Sequence, residues 1–135
     1  MAAFGIDSQK KLNTCHPRLA LVLNIAIKIF DFTIVTGFRG EEEQNKAFAE
    51  GRSKLKFPDG KHNRMPSEAV DIAPYPIDWS NKPKAVARFY LLAGIIMAVA
   101  WVLHIDLRWG GDWDGDWDLF DQNFDDIGHF ELREN

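Results

Sequence analysis

Leu19, Val22, Leu23, Ala26 and Phe30 fall on one face of a helix, and Asn13-Thr14 followed by Pro17 supplies the start such a helix needs. The spacing then switches. FTIVTGF (32–38) is rich in β-branched and aromatic residues and predicts a strand, with Gly37 allowing a bend ahead of Arg39. EEEQNKAFAE (41–50) predicts a short helix whose leading acids suit the helix dipole, ended by Gly51. Residues 52–68 are a long polar loop, and EAVDIAP (68–74) predicts a short strand. A turn-rich stretch (74–83) leads to Pro83, which opens a helix over 83–103. HIDLRW (104–109) alternates as a strand does, GGDWDGDWDLFDQNFDD (110–126) reads as an acidic, aromatic loop, and HFEL (129–132) as a terminal strand. Helices and strands mixed without a βαβ rhythm predict an α+β fold with a mostly antiparallel sheet packed with helices.

The 135 residues fit one domain spanning 1–135, and a hydrophobic fraction of 46% is enough to build a core. The apolar run 89–103 has 15 residues where a membrane span needs about 20, so it is expected as a central helix packed on several sides rather than as a stable insertion. No secretory signal pattern is evident, which predicts synthesis and retention in a cytoplasm. A net charge of −4 argues against a nucleic-acid binder that tracks phosphates, and against simple electrostatic anchoring to an anionic envelope. The lone Cys15 excludes an intramolecular disulfide and a four-thiolate zinc site.

Against that background a split set of metal-ligand residue types carries the chemistry. His62 and Asp71 lie in KHNRMPSEAVDIAPYP, and Asp126 and His129 in DDIGHFEL. Two His and one carboxylate make a common catalytic zinc shell with a fourth position for water, and Asp126 could serve as the base such a water needs. Strand alternation puts His129 and Glu131 on one face, so Glu131 could orient His129 from behind. The spacing alone also fits a loop His, a strand-end Asp and a C-terminal His paired with acids. Asp112, Asp114, Asp116 and Asp118 recur every second residue around Gly115, as oxygen donors do in calcium loops, though the twelfth position from Asp112 is Asn123 and not Glu. A solvated acidic loop is the alternative. Trp109, Trp113 and Trp117, spaced by four, predict either packing or an aromatic wall beside a substrate.

Taken together, TGFR (36–39), the EQ pair at 43–44, KHN (61–63) with PSEAVDIAPYPIDW (66–79), LRWGGDW (107–113) and DIGHFEL (126–132) resemble the M15 family of zinc peptidases. Within that family the resemblance is to phage endolysins that cut the L-alanyl-D-glutamate bond of peptidoglycan, and it runs from about residue 5 to the C-terminus. It implies the fold shared by D-Ala-D-Ala peptidases and hedgehog proteins. His62, Asp71 and His129 would be zinc ligands, Asp126 the base, and Arg39 the residue that binds substrate or its developing charge. His62 to Asp71 is two residues longer than the usual family interval, Ser67 stands in place of the motif glycine, and Gly60 stands where a Ser often precedes the His. The implied partner is bacterial peptidoglycan, reached by a monomer released from the host cytoplasm through a holin pore. The alternatives are a D-Ala-D-Ala carboxypeptidase or dipeptidase of the same family, and a zinc-containing binding module without turnover.

Overall fold

Four strands form one antiparallel sheet in the order β1-β2-β4-β3, with β1 at Phe32–Thr36, β2 at Ala69–Pro74, β3 at Leu107–Gly110 and β4 at Asp126–Leu132. The computed structural model describes residues 2–119 and 126–133. Helices α1 (Ile6–Leu12), α2 (Pro17–Ala26), α3 (Glu41–Ala49) and α4 (Pro83–Val102) surround the sheet. This is the α+β, mostly antiparallel arrangement expected from the sequence.

The sheet has two chemically different faces because side chains alternate along each strand. Val70 and Ile72 of β2, Phe130 and Leu132 of β4, and Leu107 and Trp109 of β3 turn into the core, where they meet Leu19, Val22 and Leu23 of α2 and Leu92 and Ile96 of α4. Asp71, His129, Glu131 and Arg108 point the other way. Their polar side chains are therefore fixed by the burial of their neighbours, each large apolar side chain contributing about 1.5–3 kcal/mol. A one-residue slip of β4 would send His129 into the core and Phe130 out of it.

Several elements differ from expectation. Helix α1 was not anticipated, because IDSQKKL has no apolar stripe. It is held by tertiary contacts: Leu12 is buried, and buried Ser8 Oγ accepts the Ile34 N–H at 3.1 Å. Helix α2 begins at Pro17 and not at Asn13-Thr14. Its N-cap is His16, whose Nδ1 accepts the Arg18 N–H at 3.1 Å. The expected starting residues are used elsewhere, since Thr14 Oγ1 accepts the Phe38 N–H at 2.9 Å and residues 14–16 bond to Ser67. Helix α4 is packed on one side, through Ala85, Phe89, Leu92, Ala93, Ile96 and Ala100, and not on several. Strand β4 starts at Asp126, three residues earlier than the apolar pattern suggests, because Asp126 pairs with Gly110.

Candidate metal centre

Asp71 of β2 and His129 of β4 are directly opposite in the sheet. His62 arrives from a one-turn 3-10 helix (Lys61–Asn63) within the polar loop. His62 Nε2 lies 3.3 Å from Asp71 Oδ2 and 3.3 Å from His129 Nδ1, and His129 Nδ1 lies 3.0 Å from Asp71 Oδ1. The three residues offer ligand atoms that all fall within 4.8 Å of one another, so they could hold a metal ion.

The outer nitrogen of each imidazole is engaged. His62 Nδ1–H donates to the Gly37 carbonyl at 2.8 Å, and His129 Nε2–H donates to Glu131 Oε1 at 2.8 Å. Both bonds leave the inner nitrogen facing Asp71, as metal-ligating histidines require. Gly37 supplies its carbonyl from a place where no side chain fits: a Cβ there would overlap Thr14 Oγ1 and sit 2.6 Å from the Lys11 carbonyl oxygen. Glu131 is itself held, by Arg108 Nη2 at 2.7 Å and Lys61 Nζ at 3.4 Å. Two buried nitrogen donors and one carboxylate, each braced from behind, match the donor chemistry of zinc.

The charges are strongly coupled. Burial opposes ionisation of Asp71, but the two imidazoles outweigh it and hold the carboxyl well below the usual range. Burial likewise disfavours a charged His129, yet hydrogen bonds to Asp71 and Glu131 push its pKa up to about 9. Burial raises Glu131, but His129 and Arg108 pull it down to about 2. Asp126 moves the other way, pushed up by burial and by the Asp71 carboxylate.

Asp126 lines the same open groove of about 1490 Å³ as the three candidate ligands. It comes close because Gly110 opposite has no side chain, and a Cβ there would overlap the Asp126 backbone. Arg39 Nη2 bonds Asp71 Oδ2 at 3.2 Å, while Nη1 bonds Gln44 Oε1 at 3.2 Å, so its guanidinium is tied to a candidate ligand carboxylate. Asn123, the twelfth position from Asp112, lies outside the described residues.

Three residues near the site, Gln44, Lys61 and Arg108, were not singled out from the sequence. Buried Gln44 accepts from Arg39 and Asn63 and donates to Ser53 Oγ at 2.9 Å and to the Leu55 carbonyl at 2.6 Å. Lys61 and Arg108 flank Glu131. Trp113 sits 5.4 Å from the His129 ring, with Arg108 over its own ring at 6.0 Å. Strand alternation opposite Glu131 could have found Arg108, since the two are register partners. The three tryptophans do not form one wall: Trp109 is buried and bonds the Ile127 carbonyl, Trp113 faces the groove, and Trp117 is exposed.

In the acidic loop Asp112, Asp114 and Asp116 converge, with ligand oxygens within 4.8 Å of one another. Asp112 is buried; its Oδ2 accepts the Trp117 N–H at 3.1 Å, and its Oδ1 has no hydrogen-bond partner among the described residues. Burial, offset in part by the Trp117 N–H and reinforced by Asp114 and Asp116, pushes the Asp112 carboxyl up. Asp118 is not one of the converging three; its N–H donates to Asp116 Oδ1 at 2.8 Å.

The fold and sequence have known counterparts. A solved structure of Serratia marcescens L-Ala D-Glu endopeptidase ChiX superposes with a TM-score of 0.74 at 23% identity, covering 96% of this chain and 89% of that one. The L-alanyl-D-glutamate peptidase of Escherichia phage T5 is 34% identical over 137 aligned positions, covering 96% of each chain. A model of the phage L-alanyl-D-glutamate peptidase family matches residues 1–133. This chain belongs to the phage L-alanyl-D-glutamate peptidase family.

Proposed function

We propose that this protein is a zinc-dependent peptidoglycan endopeptidase of phage lysis, hydrolysing the bond between L-alanine and D-glutamate in the peptide stem. The observation that carries the reading is the convergence of His62, Asp71 and His129 beside Asp126, in a chain of this family. His62 Nε2, His129 Nδ1 and the Asp71 carboxylate would hold the zinc. Zinc bound there supplies Lewis acidity, polarising the scissile carbonyl and lowering the pKa of the attacking water to about 7.

The protein's own groups do the rest. Asp126, whose proton affinity is raised, takes a proton from the water and passes it to the leaving amine. Arg39 keeps Asp71 oriented and leaves a permanent cation beside the groove, where it favours substrate carboxylates and the forming oxyanion. Residues 1–135 act as a single catalytic domain, as a monomer. The protein is made in the host cytoplasm and acts on the cell wall after passage through a holin pore.

Digestion of purified peptidoglycan with mass analysis of the new ends tests the reading. New N-terminal D-glutamyl groups are expected. Release of D-alanine would instead assign the chain to carboxypeptidase chemistry, and no release with zinc bound would make it a binding module.

Asp112, Asp114 and Asp116 are assigned to calcium on the strength of the orphaned Asp112 oxygen, since a buried acceptor without a donor is costly unless a cation or water serves it. Trp113 lies within this loop and against His129, so ordering the loop would steady the groove wall. Calorimetric titration with calcium should give heat and a higher melting temperature, and neither would appear if the loop is merely solvated.

A further inference from the structure

The outer side of the α2/α4 layer is apolar and unpartnered. Trp101 is 79% exposed, Val102 70%, Ile29 60% and Leu91 56%, with Leu21 and Tyr90 beside them. The two helices pack against each other, and the Arg88 guanidinium lies 5.3 Å above the Phe30 ring, so the end of α2 meets the start of α4. The exposed side chains thus sit on the outward sides of two helices that pack against each other, and exposed apolar surface on that scale is what interaction surfaces carry.

Charge is segregated on the same layer. Residues 17–30 and 83–103 contain Arg18, Lys28, Lys84 and Arg88 and no Asp or Glu, in a chain whose net charge is −4. The cations share stripes with the apolar residues: Arg18, Leu21, Ile25 and Lys28 recur at intervals of three and four, as do Lys84, Arg88, Leu91 and Ile95. Exposed Asp31 borders this layer, and Arg88 Nη2 donates to the Tyr75 carbonyl at 3.0 Å, so Arg18, Lys28 and Lys84 are the cations the layer turns to a partner.

We propose that this face docks on an anionic phospholipid bilayer, lying in the interface and not crossing it. Helix α4 is long and apolar enough to span a membrane, but Phe89, Leu92 and Ile96 on its inner side are committed to the core. Its outer side has what an interfacial helix needs: apolar residues to enter the acyl boundary, Trp and Tyr for the headgroup level, and cations for anionic lipid. A second copy of the chain fits less well, because a two-fold pairing would bring the same cations together. Asp71 and His129 project from the sheet face opposite the one that α2 and α4 cover, so docking leaves the groove open to the wall.

The test uses the full chain with zinc and two kinds of vesicle, phosphatidylglycerol with phosphatidylethanolamine, and phosphatidylcholine alone. Co-sedimentation with the anionic vesicles, weakened by salt, is expected. Lys28→Glu with Lys84→Glu, and separately Trp101→Ser with Val102→Ser, should each reduce partitioning about tenfold or more, while hydrolysis of solubilised peptidoglycan stays unchanged. The proposal is overturned if the wild type ignores anionic vesicles or binds both kinds equally, or if the variants bind as the wild type does. A parallel loss of hydrolysis, or a wild-type dimer in sedimentation velocity that Trp101→Ser dissociates, also overturns it.

Discussion

Glu131 lines the groove and braces the candidate metal centre from behind His129. It fixes the His129 ring through Nε2 and is itself neutralised by Arg108 and Lys61. Glu131→Gln keeps an acceptor but removes the charge, so zinc affinity, measured by chelator competition, should fall roughly 10–100-fold. The same pair makes the metal-free protein sensitive to pH in both directions. His129 is raised from 6.5 to about 9, so its contribution to stability is complete below pH 6.5 and is lost as pH rises through 9. Glu131 is lowered from 4.5 to about 2, so its contribution is complete above pH 4.5 and is lost as pH falls through 2. Urea unfolding of the metal-free protein should show a plateau between those limits. Zinc must displace the His129 proton, so uptake should release protons into the medium and weaken as pH falls. Asp126→Ala should retain stoichiometric zinc yet abolish hydrolysis, and full activity in that variant would remove Asp126 as the base. The candidate ligands were legible because the motifs around His62, Asp71 and His129 carry the family resemblance as well as metal-ligand residue types, whereas their spacing alone left a plain structural pairing open. Gln44 and Lys61 were not, since their importance lies in partners supplied by other segments.

At the scale of elements, the site depends on how closely segments approach. Gly37→Ala must displace the Lys11 backbone or Thr14, and it disturbs the carbonyl that orients His62. It should cost about 1–3 kcal/mol of stability and lower zinc occupancy. Gly94 in α4 makes the opposite case, because a Cβ there meets nothing within 4 Å. Gly94→Ala should stabilise the fold by about 0.5–1 kcal/mol, read from the same denaturation curves, with activity unchanged. Equal effects of the two substitutions would mean that close approach at Gly37 is not what holds the turn. The contrast also explains what sequence pattern could reveal. The core strands and α4 announce themselves through apolar spacing, whereas α1 is a polar heptapeptide held by Ser8 and Leu12, and its existence depends on β1 being there. The one-sided packing of α4 was equally hidden, because a uniformly apolar sequence does not say which side meets the sheet.

For the whole molecule, zinc bound as proposed would join segments that the chain keeps far apart. His62 sits within the long polar loop, Asp71 in a central strand, and His129 in the last strand, 67 residues after His62. An ion bound to all three favours the folded state alone, by RT ln(1 + [L]/Kd), or about 4 kcal/mol when zinc is a thousandfold above its dissociation constant. In a domain of this size that corresponds to a melting shift of roughly 10–20 °C. Calorimetric scans of chelated and zinc-loaded protein should differ by that amount. His62→Ala should lose most of the difference while keeping the core that Val70, Ile72 and Phe130 build on the opposite face of the sheet. The proposed calcium cluster provides an internal control, since Asp112 belongs to a separate group: Asp112→Asn should abolish any response to calcium and leave the response to zinc intact. If chelation leaves the melting temperature of the wild type unchanged, the three side chains are held together by their own ion pairs, and the hydrolytic assignment loses its metal.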